Sequence, residues 1–299
     1  MQTITNQLLR EVKKNKKYRT ISDEIVLEEI NSYLKKNKIE KITKQDIKEI
    51  RNKLHRLYSS YLRGNKSKRN KLLEQLRESI SREDTSKKPL GVSNSIFPIK
   101  INKENEIAKI DIIHKILSST VSTKERLDDY EFIYNKIFDI TGIPKTILDI
   151  GCGLNPISYI YMHIKELNYY AYDIDESDIQ FLNEFFHIMK NKGLNGKSQI
   201  LDVRNKNQIN NIPNTDIIFL FKVIDLIDID NHKPSEELIK NLLNQKKAKF
   251  IVASFATKTI SKKSMNFPNR KWFELMLQRI GLKFKIIKTR NEIFYIISK

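Results

Sequence analysis

Asp149, Gly151 and Gly153 close a short apolar run in Thr146-Ile-Leu-Asp149-Ile-Gly151-Cys-Gly153-Leu-Asn155-Pro156-Ile157. Residues of these types in this order make a nucleotide-cofactor site. Ile147, Leu148 and Ile150 suit a central parallel strand. Gly151 and Gly153 let bare backbone approach a ligand, and Pro156 suits the first turn of a following helix whose free amides face the same ligand. A dinucleotide-binding loop would carry a third glycine where Pro156 stands, so NAD is disfavoured. About 20 residues on, Tyr169-Tyr-Ala-Tyr172 ends in Asp173-Ile-Asp175, the place of a ribose-binding carboxylate. Asp202, near the end of Ser198-Gln-Ile-Leu-Asp202-Val203, can accept a hydrogen bond from an adenine amino group. Each acid alone is as readily an exposed residue or a helix cap. Three of them at successive strand ends, in register with one glycine turn, point to S-adenosyl-L-methionine.

The elements that must position these residues follow from the apolar spacing. After those three strands, Asp216–Lys222 and Phe250–Phe255 read as a fourth and a fifth, and Phe284–Ile287 with Glu292–Ile297 as a closing hairpin. Helical stretches separate the earlier strands. The fold class expected is α/β, a Rossmann-like class I S-adenosylmethionine-dependent methyltransferase core with an N-terminal helical RNA-binding domain. In the N-terminal part, residues 5–14, 23–36, 44–62 and 68–82 show i, i+3, i+4 apolar spacing, and Ser22 and Thr43 precede two of these helices as caps. Ser81 to Asn94, polar and holding Pro89 and Gly91, reads as a linker. The expected division is therefore 1–94 for the basic helical domain and 95–299 for the methyltransferase domain. Residues 104–119 and 123–140 form two further helices leading into the first strand.

Net charge explains the helical part. The chain of 299 residues carries +19, and residues 1–100 hold 25 Lys and Arg against 12 Asp and Glu, so +13 of that charge sits in the first third. A methyltransferase of small molecules has no need of this, whereas a polyanion-binding enzyme does. The clusters Lys13, Lys14, Lys16, Lys17, Arg19 and Lys66, Lys68, Arg69, with Lys258 in the core, are the expected RNA contacts; singly, such runs are solvated helix faces. One cysteine excludes an internal disulfide and suits a reducing compartment. No basic start followed by an apolar stretch, and no span-length apolar segment, is present, so a cytoplasmic protein without a membrane partner is expected; the chain is also expected to be a monomer. The five histidines lie far apart and, with Cys152, lack metal-ligand spacing, so no metal is predicted. The Trp272-Phe273 pair has a spacing that favours helix packing over base stacking.

The chain resembles the aminoglycoside-resistance 16S ribosomal RNA methyltransferases that methylate guanine N7 in the decoding site, and their wider relatives. The resemblance runs through Lys16-Lys17-Tyr18-Arg19, Lys53-Leu54-His55 with Tyr61, Ser122-Thr123-Lys124-Glu125-Arg126-Leu127, Leu148 to Pro156, Ala171 to Asp175, Phe219-Leu-Phe-Lys222, Ser254-Phe255, Trp272-Phe273-Glu274 and Asn291 to Tyr295. It implies that Arg126 grips the cofactor carboxylate and that Gly151 and Gly153 pass beneath the methionine and ribose. Asp149 and Asn155 complete the cofactor set, with Asp173, then Asp175, on the ribose and Asp202 on adenine. Lys222 would face the reacting centre or a phosphate. Plainer roles are a helix-surface Arg126 paired with Glu125 or Asp129, and an ordinary exposed Lys222. Two departures lie where the target base should enter. Ser254-Phe255-Ala256-Thr-Lys258-Thr and Ser261 to Met265 replace a Ser-Phe-Pro and glycine-rich loop, and Lys222-Val-Ile-Asp225 replaces Lys-Leu-Pro.

The reaction can be narrowed by exclusion. Methylation at pyrimidine carbon 5 needs a cysteine nucleophile, and Cys152 is enclosed in the glycine turn. Exocyclic amine methylation commonly uses an Asn/Asp-Pro-Pro-aromatic motif, and Lys222-Val-Ile-Asp225 stands there instead. Guanine N7 already has a lone pair and needs alignment rather than a base. Glu292 would accept from guanine N1 and N2 or offset the product's charge; the plainer reading pairs it with Lys285 or Arg290. The expected function is S-adenosylmethionine-dependent methylation of guanine N7 in small-subunit ribosomal RNA. Transfer RNA as the substrate, and an RNA-binding assembly factor with a vestigial cofactor site, are the alternatives.

Overall fold

The computed structural model describes residues 2–37, 39, 41–58, 66–86, 103–228, 231–245, 247–258, 265 and 268–299. Helices α1 (Gln2–Lys13), α2 (Asp23–Lys36), α3 (Lys44–Tyr58), α4 (Lys66–Ser86), α5 (Lys103–Leu117), α6 (Val121–Arg126) and α7 (Tyr130–Thr141) precede the first strand. There follow β1 (Thr146–Ile150), a 3-10 helix (Asn155–Met162), β2 (Leu167–Asp173), α8 (Glu176–Met189), β3 (Leu194–Ile200), α9 (Lys206–Asn210) and β4 (Thr215–Phe221). The chain closes with α10 (Ile224–Ile227), α11 (Lys233–Asn244), β5 (Ala248–Ala256), α12 (Lys271–Arg279), β6 (Lys283–Lys288) and β7 (Glu292–Ser298). Among the described residues the strands form one seven-stranded sheet in the order β3-β2-β1-β4-β5-β7-β6. β1 to β5 run parallel and β7 pairs antiparallel with both β5 and β6.

Alternation along the strands divides the core between the two faces of the sheet. Ile147, Tyr169, Ile217 and Phe219 pack with α4, α5, α7 and α8, while Leu148, Ile150, Ile218 and Leu220 pack with α10, α11 and α12. Both faces are covered, so apolar residues of the central strands point to either side, with Asp149 a buried exception in β1. The order reverses at β1, which has β2 on one side and β4 on the other. This opens a crevice beyond the strands' carboxyl ends.

Several elements depart from the spacing-based expectation. The helix expected over 123–140 is two, α6 and α7. Asp128 and Asp129 compete with helix for backbone hydrogen bonds, and the chain turns there with Asp129 N donating to Arg126 O at 2.8 Å. The helix expected at Pro156 is a 3-10 helix with proline in its first turn. β3 begins earlier than expected, taking in Gly196, where a Cβ would come within 2.0 Å of Phe186 Cδ1, and it ends before Asp202. Residues 81–86 of the expected linker are helical, and 87–94 lie outside the described residues. Moreover, Leu73, Leu76 and Ile80 of α4 belong to the same apolar cluster as the sheet. The separate cluster of Leu8, Val12, Ile21, Ile25, Val26, Ile30, Ile50 and Leu54 is built from α1 to α3. Ser22 starts α2 without a side-chain cap bond, whereas Thr43 and Asp46 exchange bonds reciprocally at the start of α3. Among the described residues no helix is long and apolar enough to cross a membrane.

Candidate active site

β1, β2 and β4 deliver their chemistry at one end of the sheet because their carboxyl termini are in register. Ile150 is opposite Tyr172, and the amides of Gly151 and Cys152 both donate to Tyr172 O, at 2.8 and 3.0 Å. Gly151 and Gly153 have φ of 65° and 49°, a region costly for other residues. A Cβ on Gly153 would meet nothing within 4 Å, so this turn faces open space.

Asp173 is buried and accepts from Gly153 N at 2.8 Å and from Ile174 N and Asp175 N at 2.7 and 3.2 Å. Burial, reinforced by the nearby Asp178, pushes its carboxyl up to about 7 despite these amides. Asp173 and Asp202 mark the polar end of a cleft whose apolar walls are Ile150, Leu201, Val203, Val223, Leu226 and Ile227. An apolar lining that also carries two acids fits a flat heteroaromatic base joined to a sugar. Asp149 accepts from Asn155 Nδ2 at 2.9 Å and Tyr169 Oη at 2.8 Å through Oδ2. Its Oδ1 is buried with no hydrogen-bond partner, and burial raises the group to about 6.

Beyond this cleft lies a buried charge network. Arg126, 3 % exposed, makes a two-pronged pair with Glu292, Nε to Oε2 at 2.8 Å and Nη2 to Oε1 at 2.9 Å, and its guanidinium lies over Phe221. Its Nη1 makes only a long contact, 3.4 Å, to Asn155 Oδ1, which also accepts from Tyr130 Oη at 3.1 Å. Ser254 Oγ donates to Glu292 Oε1. Arg126 and Lys222 outweigh burial and hold the Glu292 carboxyl below its ordinary range. Lys222 Nζ contacts Glu125 Oε2 at 2.7 Å and Glu292 Oε2 at 3.5 Å. Lys222 also has φ 60°, an uncommon value for a non-glycine residue, held by its amide's bonds to Ser254 O and Oγ, both 3.1 Å.

The structure thus gathers Asp149, Gly151, Gly153, Asn155, Asp173, Asp202, Arg126, Lys222 and Glu292 around one crevice, and it corrects several expectations. Asp175 has its oxygens engaged away from a ribose: it caps α8, accepting from the amides of Ser177 and Asp178 and from Thr20 Oγ. Glu292 does not present itself to a base, since it is fully buried and both its oxygens are engaged; Arg126 and Ser254 claim them, not Lys285 or Arg290. Arg126 pairs with Glu292 rather than with Glu125 or Asp129. Asp202 lines the cleft with its carboxylate clasped by Arg204, a partner the sequence did not predict. Arg69 is no surface phosphate contact: it is 3 % exposed, pairs with Asp178 at 2.8 Å and lies over Phe181. Lys13 is turned inward to Ile21 O and Asp23. Lys14, Lys16, Lys17, Arg19 and Lys68 are exposed, and Lys258 bonds Asn291 Oδ1 at 2.8 Å. The side chain of Lys66, along with Tyr61 and residues 261–264, lies outside the described residues. Trp272 stacks on His232 at 3.6 Å and Phe273 is buried. Among the described residues no group of three or more His, Cys, Asp or Glu is placed for a metal.

Sequence reasoning missed Glu125, Tyr130, Tyr169 and Ser254 as members of the network. Glu125 and Ser254 carried a signal, from their place in the segments that resemble the family, and Tyr169 only as an apolar strand residue.

Residues 101–296 match the family described as Ribosomal RNA methyltransferase (FmrO). The chain is 29 % identical over 261 residues to the 16S rRNA (guanine(1405)-N(7))-methyltransferase of Proteus mirabilis, covering 86 % of this chain and 85 % of that one. It is 26 % identical over 190 residues to the like-named protein of Micromonospora echinospora, covering 62 % and 66 %. In three dimensions it is similar to the 16S rRNA methylase RmtB, with a TM-score of 0.65 at 20 % identity over 99 % of this chain and 98 % of that one. The 16S rRNA methyltransferase RmtF, solved in complex with S-adenosyl-L-homocysteine, gives 0.67 at 18 % identity over the same shares. These two likenesses identify the fold as the Rossmann-like methyltransferase fold. With the match spanning 101–296, on the strands that carry Asp149, Asp173 and Glu292, the chain belongs to the ribosomal RNA methyltransferase family.

Proposed function

We propose that this chain transfers the methyl group of S-adenosyl-L-methionine to N7 of a guanine in small-subunit ribosomal RNA. The cofactor supplies a methyl carbon on a positively charged sulfur, and the residues present fit it. Asp149 Oδ1, a buried acceptor with no partner, suits an ammonium group. Arg126 keeps its Nη1 end for a carboxylate, while Glu292 secures the opposite edge. Asp173 retains acceptor capacity for a sugar hydroxyl, and the apolar walls suit adenine.

The observation that carries the choice of N7 is the pairing at the end of β4. There the carboxylates of Glu125 and Glu292 are both ion-paired with Lys222, and Glu292 with Arg126 as well. The Glu292 carboxyl, held below its ordinary range by Arg126 and Lys222, is not disposed to take a proton, and N7 has none to give up. The work left to the protein is alignment and exclusion of water. Lys222, held in its strained conformation at the mouth, orients the incoming nucleotide through its charge. The exposed Lys14, Lys16, Lys17, Arg19 and Lys68 grip RNA phosphates. The chain is soluble and works in the cytoplasm, where this RNA resides.

The test is methyl transfer from labelled S-adenosylmethionine to small ribosomal subunits and, separately, to unmodified transfer RNA, with the product nucleoside identified by mass. N7-methylguanosine in the ribosomal RNA alone is expected. The same nucleoside in transfer RNA alone would reassign the substrate, and no transfer to either would leave the assembly-factor reading.

A further inference from the structure

Two loops build the polar end of the cofactor cleft, 173–175 after β2 and 201–204 after β3, and the α1–α3 unit holds both. At the first loop, Ile174 is buried in the apolar cluster of α1–α3. Ser22 N donates to Ile174 O at 3.0 Å, Glu176 N to Thr20 O at 2.9 Å, and Thr20 Oγ to Asp175 Oδ2 at 2.6 Å. At the second loop, Arg204 makes a clasp on Asp202: its amide and Nε donate to Oδ1 at 2.9 and 3.0 Å, Nε also reaches Oδ2 at 3.1 Å, and Nη2 bonds Oδ2. Its other arm, Nη1, reaches Glu29 Oε1 on α2 at 2.5 Å. Glu29 is 3 % exposed and is paired as well by Lys53 of α3 at 2.5 Å. A buried carboxylate on α2 is costly unless compensated, so its position is set by these two cations. One of them is the residue that orients an acid lining the cleft.

We propose that Arg204 is a positioning residue that locks Asp202 to Glu29, making the α1–α3 unit a structural wall of the cofactor cleft and tying cofactor affinity to how that unit is seated. The planar guanidinium suits the task, because it can present separate N–H edges to two carboxylates at once; an ammonium is a single point charge. The segment Lys14–Arg19 directly precedes Thr20, where the unit is stitched to the ribose loop. Ordering imposed on those basic residues by a polyanion therefore acts on a segment whose next residue is bonded directly to the cleft's loop, and by linkage the effect is reciprocal.

The inference rests on the cleft binding S-adenosylmethionine, and the experiment separates the two. Dissociation constants for S-adenosyl-L-homocysteine are measured by calorimetry on the full chain for wild type, Arg204→Ala, Arg204→Lys, Glu29→Gln and the double variant Arg204→Ala/Glu29→Gln, with circular dichroism and melting temperature for each. The wild type binds, and Arg204→Ala raises Kd about tenfold. Glu29→Gln, outside the cleft, raises it several-fold. The double variant is no worse than Arg204→Ala, because both remove one interaction, and Arg204→Lys does not restore affinity. Wild-type Kd in Glu29→Gln, or strictly additive effects in the double variant, would overturn the clamp while leaving the cofactor reading intact. A wild type that binds no ligand removes the cofactor reading and the clamp with it.

Discussion

Asp173 should drive stability and cofactor affinity in opposite directions as pH changes. Its carboxyl is 2 % exposed and stands at about 7, against an ordinary 3.8, because burial and Asp178 oppose its charge. A group whose value is raised on folding contributes stability that is complete below its unfolded value and lost as pH rises through its folded one. Carrying the charge at alkaline pH thus costs the ligand-free protein on the order of 4 kcal/mol. Between about pH 8 and about pH 6 the group passes from mostly ionised to mostly protonated, so the ligand-free protein gains ~1 kcal/mol from it. Ligand binding reverses the trend. A ribose hydroxyl donating to the ionised carboxylate favours that form, so affinity should fall roughly tenfold over the same interval. The assay is urea unfolding of the free protein and calorimetric titration with S-adenosylhomocysteine at both pH values, on wild type and Asp173→Asn. The variant keeps acceptance from Ile174 and Asp175 but sets N–H against the Gly153 amide, so it binds more weakly throughout. Asp149 and the ligand's amino group titrate in both proteins and cancel in the comparison. Parallel pH profiles for the two proteins, in stability and in affinity, would refute the assignment.

Glu292→Ala leaves Arg126 buried without its countercharge and should lower stability by ~3–5 kcal/mol in chemical unfolding, with cofactor affinity lost as the guanidinium reorients. Lys222→Gly should be more stable than Lys222→Ala by ~1 kcal/mol, since glycine relieves the strain at φ 60°, while both variants show the same loss of methyl transfer. Replacing Lys14, Lys16, Lys17 and Arg19 together by Glu should weaken binding to small ribosomal subunits and flatten its dependence on salt, leaving S-adenosylhomocysteine binding unchanged; filter binding across a salt series reads both.

The glycine turn and the strands around it were legible because their geometry is local. Gly151 and Gly153 mark a turn that only residues tolerant of positive φ can make, and the apolar runs at 147–150, 169–172 and 216–221 mark strands whose ends must coincide once they lie parallel. The same pattern told which acids stand at strand ends, but not which of them bond to something else. Asp173 and Asp175 are two residues apart and look alike in sequence. One faces the glycine turn, and the other is consumed capping α8 and receiving Thr20 from 155 positions earlier.

Sequence alone therefore determined the parallel sheet, the glycine turn with its acids, the basic amino-terminal helices and the methyltransferase class, since each rests on periodicity, backbone freedom or net charge within a short window. Only the tertiary structure decided the charge pairs. Arg126 meets Glu292 across 166 positions, Arg69 meets Asp178 across 109, and Arg204 meets Glu29 across 175. An arginine read in sequence is equally suited to a phosphate, a cofactor carboxylate or an internal acid. Which one it takes depends on burial, because removing a charge from water forces it to find its partner within the fold.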